Sequence, residues 1–212
     1  MDLSRVAEHD PVAVTDEERE AGVLVAVVDP ENEAWLDDHE TSPEDPHLLF
    51  IKRQDDLGEH AGQMSFPGGG REDVDHGLEG TALREANEEV GVDSARADVV
   101  GRLDDIRTVT RYAVRPFVAR VPNDDYRPRD TREVAEVATL AVDDLTDRSN
   151  YDSERRDHPH YGDIRLHYFR VDGYTVWGAT ARMLVQFLEL ATDWEMPPEP
   201  DREVEADAEF PV

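Results

Sequence analysis

Three carboxylates lie close together in the sequence, next to a run of glycines. Glu85, Glu88 and Glu89 are spaced i, i+3, i+4, so a helix turning about 100° per residue places them on one face. Like charges at this spacing cost a bare helix roughly 0.2 to 0.5 kcal/mol per pair. A hard divalent cation would offset that repulsion, because Mg²⁺ and Mn²⁺ prefer oxygen ligands and bridge carboxylates to phosphates. The spacing therefore predicts a metal site suited to diphosphate hydrolysis.

The alternative interpretation of the three carboxylates is a solvated acidic helix face, which is common in so acidic a chain. Two neighbouring features favour the metal site. The segment FPGGG, from Phe66 to Gly70, allows backbone groups to approach a ligand closely. Gly91, directly after the periodic run, is typical of a helix C-terminal cap.

The stretch REANEEVGV, from Arg84 to Val92, resembles the second half of the signature of the Nudix hydrolases. That signature reads G-x5-E-x7-R-E-U-x-E-E-x-G-U, where U is aliphatic, and the stretch matches it throughout if Ala86 counts as a small U. The first half departs from the signature. Counted from Gly69, Asp75 stands at the Glu position, and one extra residue then precedes Arg84. The resemblance implies an α/β/α sandwich around a mixed sheet.

The resemblance also implies roles for individual residues. A Mg²⁺ or Mn²⁺ ion would be held by the carboxylates of Glu85, Glu88 and Glu89 together with the Gly69 carbonyl. Arg84 would keep a metal-binding Glu in place through an internal ion pair. The implied reaction is attack of metal-bound water on one phosphorus of a diphosphate.

A carboxylate must accept the proton of the attacking water, and three candidates remain open. Glu85 belongs to the signature itself. Glu133 and Glu136 lie in the later stretch REVAEV, which follows a polar loop. The alternative interpretation of these two residues is that they are solvent-facing residues of a strand.

An upstream stretch, residues 49–69, resembles one branch of the family, the coenzyme A pyrophosphatase-like proteins. Their signature is close to L-L-T-x-R-[SA]-x3-R-x3-G-x3-F-P-G-G, and this chain keeps its frame. Ile51, Gln54 and Gly58 depart from it, where the branch has Thr, Ser or Ala, and Arg. The matching positions to which the resemblance gives a substrate-binding role are Arg53, Gly62, Phe66 and Gly68.

The branch resemblance implies hydrolysis of coenzyme A or its thioesters to 3',5'-ADP and 4'-phosphopantetheine. Two alternatives stay open. One is a Nudix diphosphatase for ADP-ribose or another nucleoside diphosphate derivative. The other, from a different class, is a non-catalytic module that binds a nucleotide or a cation. The intact Arg-Glu and Glu-Glu pairs of the signature argue against this last alternative.

The elements that must position these residues are predicted from hydrophobic patterns. Strands are predicted at residues 22–28, 48–51, 99–103, 113–121, 134–140 and 166–171. Helices are predicted at 80–90 and 179–191. This order favours one α/β domain over residues 21–192. Residues 1–20 are predicted to be a flank, and residues 193–212 an acidic, Pro-containing flexible tail.

Charge is the second informative feature of the sequence. The formal net charge of the 212 residues is −29, and Lys52 is the only lysine. Such a surface repels nucleic acids and acidic membranes, because binding to either depends on Lys and Arg that neutralise phosphate. A nucleotide-sized substrate is expected instead. An acidic surface with almost no lysine also suits molar salt, where the Debye length is about 3 Å, so we predict a halophilic protein.

The sequence contains no cysteine, which excludes disulfides and thiol catalysis. It opens without a signal-peptide pattern and has no apolar run of the 18 or so residues that a membrane helix needs, so we expect a cytoplasmic protein. Because members of the family build part of the substrate pocket from loops and from a dimer partner, a homodimer is a further expectation.

Overall fold

The computed structural model of the protein describes residues 1–28, 45–55, 62–108, 110–158, 162–205, 208 and 210. Its helices are α1 (Ser4–Glu8), α2 (Gly77–Val90), α3 (Val142–Thr146) and α4 (Gly178–Ala191). Its strands are β1 (Arg19–Val28), β2 (His47–Arg53), β3 (Met64–Ser65), β4 (Gly68–Gly70), β5 (Asp98–Arg102), β6 (Ile106–Arg107), β7 (Tyr112–Val121), β8 (Val134–Ala141), β9 (Tyr151–His158), β10 (Gly162–Val171), β11 (Tyr174–Trp177) and β12 (Arg202–Glu203).

The strands form two sheets. The larger sheet follows the order β3-β2-β1-β7-β5, and β4, β6 and β8 pair with β1, β7 and β2. Strands β1 and β7 run parallel along their whole length, while the other pairs in this sheet are antiparallel. The sheet is therefore mixed, as predicted. The smaller sheet has the order β11-β10-β9-β12.

The larger sheet is covered on both faces. In β1, Leu24 and Ala26 belong to the core that contains the buried residues of α2, whereas Val25 and Val27 belong to the core that contains α4 and α1. Residues alternate between the two faces of a strand, so an uninterrupted aliphatic run is what burial on both sides requires. This arrangement confirms the α/β/α sandwich.

The predicted strands and helices are present, and most differences lie at their ends. Helix α2 begins at Gly77 instead of residue 80, and β1 begins at Arg19 instead of residue 22. Strand β9 was not predicted, because its sequence YDSERRDH carries no apolar pattern. Backbone pairing with β10 holds it in place, and its buried charged residues Glu154 and Arg156 satisfy each other.

The C-terminal residues up to Glu205 differ from the flexible tail that their composition predicts. Strand β12 pairs with β9, and Asp201 accepts hydrogen bonds from the backbone and side chain of Ser153. Arg202 forms ion pairs with Asp152 and Glu154. The composition shows many acids in this segment, but it does not show that Arg202 pairs with acids of β9 or that Arg148 pairs with Asp201.

The N-terminal flank is also packed. Leu3 and Val6 of the α1 region are buried, and the backbone N–H of Val12 binds the carboxylate of Asp104 at 2.9 Å.

In the part of the chain that the structure describes, no helix is long and apolar enough to span a bilayer.

Candidate active site

Helix α2 lies directly on β1 and β4, and glycines make this close approach possible. A Cβ atom at Gly22 of β1 would lie 3.0 Å from the backbone nitrogen of Ala82 and still closer to the carbonyl of Leu78. Gly69 pairs with Gly22 in the sheet, and a Cβ at Gly69 would lie 2.5 Å from a carboxylate oxygen of Glu85. The glycine-rich strand and the acidic helix face therefore touch.

Glu89 is the most buried carboxylate on this face. The residue is 4% exposed, and its Oε2 accepts a hydrogen bond from the backbone N–H of Gly68 at 2.8 Å. Desolvation raises the pKa of Glu89 to about 8, and the nearby charges of Glu85 and Glu133 act in the same direction. Because burying a carboxylate without a cation is costly, this position suits a metal ligand.

Glu85 shares this environment, whereas Glu88 does not. Burial raises the pKa of Glu85, although the adjacent Arg84 partly opposes the shift. The side chain of Glu88 is 58% exposed and contacts the guanidinium of Arg84 at 3.1 Å. Among the described residues, no three acidic or histidine side chains converge closely enough to hold a metal ion. The donor set still fits a hard divalent cation, because it offers two buried or half-buried carboxylates beside a glycine backbone.

Arg84 is held by a carboxylate from outside the helix. Its Nε and Nη2 donate to the two oxygens of Asp75 at 2.8 and 3.1 Å, and Nη2 also contacts Glu85 Oε1 at 3.0 Å. A further bond joins Nη2 to the carbonyl of Gly70 at 3.3 Å. The side chain of Asp75 is only 3% exposed, and Arg84 holds its pKa well below the usual range.

The structure therefore places Asp75, which was aligned with the signature Glu, against Arg84 despite the extra residue in the loop. Its Oδ2 also accepts bonds from the backbone N–H of Glu72 at 2.8 Å and from the Thr81 hydroxyl at 2.9 Å. Both oxygens of Asp75 are therefore bonded inside the protein, and Asp75 holds the Arg84 guanidinium in place. Thr81 belongs to no motif of the sequence, and its place one turn before Glu85 is the one signal for its contact with Asp75.

Arg53 lies at the end of β2, on the same side of the sheet as α2. Ile51, two residues earlier in the strand, belongs to the α2 core, and the charge of Arg53 lowers the pKa of Glu89. The Nε atom of Arg53 is buried and has no hydrogen-bond partner among the described residues. A buried guanidinium nitrogen without an acceptor is uncommon, and an oxygen of a bound anion would satisfy it.

The other residues predicted to bind substrate are Phe66, Gly68 and Gly62. Phe66 is 2% exposed and stacks on Phe50 with ring centroids 4.7 Å apart, which corrects the prediction that it binds substrate. The backbone N–H of Gly68 is occupied by Glu89. Gly62 has a positive φ of 68°. Residues 56–61, directly before it, lie outside the described part of the chain. They include Gly58, where the sequence departs from the branch signature.

The two candidate bases of the later stretch lie on different sides of the sheet. Glu133, in the turn before β8, is exposed, and its charge reaches both Glu85 and Glu89. Glu136 is hydrogen-bonded to the hydroxyl of Tyr174. Ala138, next on its face of the strand, belongs to the core opposite α2. The structure thus brings Glu133, and not Glu136, to the acidic face of α2.

A family comparison agrees with this geometry. A model of the NUDIX domain matches residues 18–161, more than half of the chain. The chain therefore belongs to the Nudix family. Enzymes of this family hydrolyse diphosphate linkages with the help of divalent metal ions, and this protein is a Nudix hydrolase.

Individual relatives lead to the same assignment. A protein of Enterobacter sp., described as "Uncharacterized Nudix hydrolase NudL", is 35% identical over 144 residues, which cover 66% of this chain and 73% of the relative. A NudL protein of Cronobacter sakazakii is 36% identical over 170 residues, which cover 79% and 80%. The NUDIX domain of Shewanella oneidensis NrtR, solved in complex with ADP ribose, is 17% identical at a TM-score of 0.46, with 68% of this chain and 86% of that chain covered. The assignment rests on the first two relatives and the family match.

Proposed function

We propose that this Nudix hydrolase cleaves the diphosphate of coenzyme A or its thioesters, releasing 3',5'-ADP and 4'-phosphopantetheine. The observation that carries the proposal is the unsatisfied Nε of Arg53, buried on the α2 side of the sheet near Glu89. An Arg beside a carboxylate metal site is the arrangement that a diphosphate needs, since its oxygens bind both cations and guanidinium groups. Arg53 also stands in register in the upstream frame of the coenzyme A branch.

In this proposal Glu85, Glu88, Glu89 and the Gly69 carbonyl hold Mg²⁺ or Mn²⁺. When bound, the ion acidifies a water molecule and neutralises charge on the phosphate oxygens. The protein's own residues supply the rest: Arg53 donates to a phosphate oxygen, and Arg84, fixed by Asp75, keeps Glu85 in place.

Glu133 is the proposed general base, because it is an exposed carboxylate outside α2 whose charge acts on both Glu85 and Glu89. Its carboxylate accepts a proton from the attacking water as the water oxygen bonds to phosphorus. The bond between that phosphorus and the bridging oxygen breaks, and the leaving phosphate departs as one of the two products. Glu85 is the second candidate for this role.

Two departures from the branch signature favour a second candidate substrate class. Gln54 and Gly58 replace a Ser or Ala and an Arg, and the lost Arg removes a bidentate phosphate donor. ADP-ribose and similar nucleoside diphosphate derivatives lack the 3'-phosphate of coenzyme A. Such a substrate does not require an Arg at position 58.

The test is a substrate panel at high KCl with Mg²⁺ or Mn²⁺, containing coenzyme A, acetyl coenzyme A, dephospho-coenzyme A and ADP-ribose. Formation of 3',5'-ADP and 4'-phosphopantetheine by the wild type, and not by Glu89→Gln, supports the proposal. Hydrolysis of ADP-ribose with no turnover of either coenzyme A compound would replace it with the second candidate.

Restoring the missing Arg tests how the extra phosphate is recognised. Gly58→Arg should raise the preference for coenzyme A over dephospho-coenzyme A, measured as the ratio of kcat/KM values. One charge-assisted contact contributes about 1.5 to 3 kcal/mol, so the ratio should change about tenfold or more. An unchanged ratio would mean that position 58 does not contact the 3'-phosphate.

The acidic surface supports one further part of the proposal, which concerns the environment of the enzyme. A protein with a net charge of −29 on 212 residues is suited to concentrated salt, where repulsion between exposed carboxylates is screened.

We also propose that the protein is a homodimer. Its state of association can be measured in the same buffer by light scattering.

A further inference from the structure

The proposed base Glu133 sits in a tight turn between a polar loop and β8. The backbone N–H groups of Glu133 and Val134 both donate to the carbonyl of Asp130, at 3.2 and 2.9 Å. One residue earlier, the N–H of Arg129 donates to the carbonyl of Glu89 at 2.8 Å. The turn is therefore fastened on one side to the C-terminal end of α2.

The other side of this turn is fastened by Gln54, the residue that directly follows β2. The backbone N–H of Gln54 donates to the carbonyl of Glu133 at 2.9 Å. Its side-chain amide donates to the carbonyl of Thr131 at 2.9 Å and contacts the carbonyl of Val134 at 3.4 Å. Gln54 thus binds carbonyls before, at and after the residue that carries the carboxylate.

Gln54 directly follows Arg53. The end of β2 therefore carries the proposed phosphate donor next to the residue that is hydrogen-bonded to the turn. The pairing of β2 with β8 is irregular here: Lys52 faces Glu136 and Arg53 faces Val134, which leaves Ala135 without a partner. A bulge at a strand end loosens the ladder and lets side chains be re-aimed. Side-chain bonds from Gln54 to Thr131 and Val134 add to the one backbone bond that joins residue 54 to the turn.

We propose that Gln54 is a positioning residue that holds the Thr131–Val134 turn so that the Glu133 carboxylate points at the acidic face of α2. The inference rests on the proposed function, in which Glu133 is the base. Ser or Ala, the residues of the branch signature at this position, cannot span the distance that the Gln amide covers. This chain therefore fixes its turn by a contact that the signature residues lack.

The experiment uses Gln54→Met in the full-length protein, with kcat and KM measured on whichever substrate of the panel is turned over. Methionine keeps the length of the side chain and removes the amide donor, so the fold is preserved. The backbone bond from residue 54 to Glu133 remains, so the expected loss in kcat is about tenfold rather than complete, with KM nearly unchanged. Gln54→Ser, which introduces the branch residue, should behave in the same way.

A double-variant cycle separates positioning from simple destabilisation. If Gln54 acts through Glu133, adding Gln54→Met to Glu133→Gln should lower kcat no further. Gln186→Met is the matched control, because Gln186 also clamps a loop, accepting the backbone N–H of Asp104 at 3.0 Å, but that loop carries no proposed site residue. Its kcat should equal that of the wild type.

The outcomes distinguish the inference from the function on which it rests. A Glu133→Gln variant with wild-type kcat overturns the base assignment itself. A slow Glu133→Gln variant beside a fully active Gln54→Met variant overturns the role of Gln54 and leaves the base assignment intact. Equal losses from Gln54→Met in the presence and absence of the Glu133 carboxylate would also overturn it, because the effect would then arise elsewhere.

Discussion

Individual carboxylates of α2 differ in burial, and burial determines what each can contribute. Glu89 is enclosed and receives one hydrogen bond from Gly68, while Glu88 is largely exposed and paired with Arg84. Sequence spacing treats the two residues alike, since both follow from the same helical pattern. The pattern also could not show that Glu89 faces the Phe66–Gly70 turn, because that contact depends on how β4 pairs with β1.

Removing the carboxylate charge of Glu88 or of Glu89 should abolish turnover. We expect Glu89→Gln and Glu88→Gln each to lower kcat by more than about a hundredfold, or roughly 3 kcal/mol of transition-state stabilisation, because each loses a charged oxygen ligand at nearly constant volume. Steady-state kinetics with a Mg²⁺ and Mn²⁺ titration measures both the rate and the metal affinity. Glu79→Gln, an exposed acid in the first turn of α2, serves as the control and should keep wild-type activity. Near-normal rates in either site variant at saturating metal would contradict the site.

Asp75 should stabilise the native state through Arg84, and the effect should depend on pH. Asp75→Asn removes a buried, charge-assisted pair, so the free energy of unfolding should fall by about 2 kcal/mol or more at neutral pH. The native pKa of Asp75 is depressed, so its contribution is complete above the unfolded pKa of about 3.9 and is lost as the pH falls below that value. Urea unfolding of both proteins at several pH values measures the difference. A difference that stays constant below pH 4 would contradict the assignment.

At the scale of elements, the contact between α2 and β1 sets the geometry of the site. This contact depends on Gly22, where the helix backbone leaves no room for a side chain. Gly80, within α2, is different, because an added Cβ there would meet only the Cβ of His76 at 4.0 Å. Two glycines in neighbouring elements therefore have opposite roles.

Matched alanine substitutions should show this difference. Gly22→Ala forces α2 away from β1 and should lower the free energy of unfolding by about 1 to 3 kcal/mol, with a loss of activity. Gly80→Ala should raise it by roughly 0.5 to 1 kcal/mol, because alanine is the better helix former, and activity should be retained. Thermal and urea unfolding test both variants. Equal stability of the two variants would show that α2 is not held by close packing at Gly22.

The elements that the sequence predicts are those with a strong apolar pattern. Strand β1 and helix α2 follow directly from their aliphatic residues and from the signature. Strands β9 and β12 could not be predicted, because charged residues fill them and their burial relies on partners far away in sequence, as in the pair of Arg202 and Glu154. Asp75 was placed from the family signature only by allowing a longer loop, and its contact with Arg84 is a tertiary feature.

For the whole molecule, the main question is how a chain with 51 acidic and 22 Lys and Arg residues stays folded. Some of the arginines are used in the interior: Arg156 and Arg202 both bind the buried carboxylate of Glu154. Arg115 likewise holds the buried Asp105 through two bonds of 2.8 and 2.9 Å. These arginines are therefore not available to balance the exposed acids, which repel one another.

Salt should therefore stabilise the protein. Screening shortens the range of repulsion between exposed acids from about 10 Å at 0.1 M salt to about 3 Å at 1 M, while buried pairs such as Arg156 and Glu154 are screened much less. We expect Tm to rise steadily with KCl and the protein to unfold on dialysis into low salt. Choline chloride should act nearly as well as KCl if screening is the cause, whereas a preference for K⁺ would indicate specific cation binding. Full stability in low salt would contradict the predicted adaptation, because the exposed acids would then repel too weakly to need screening.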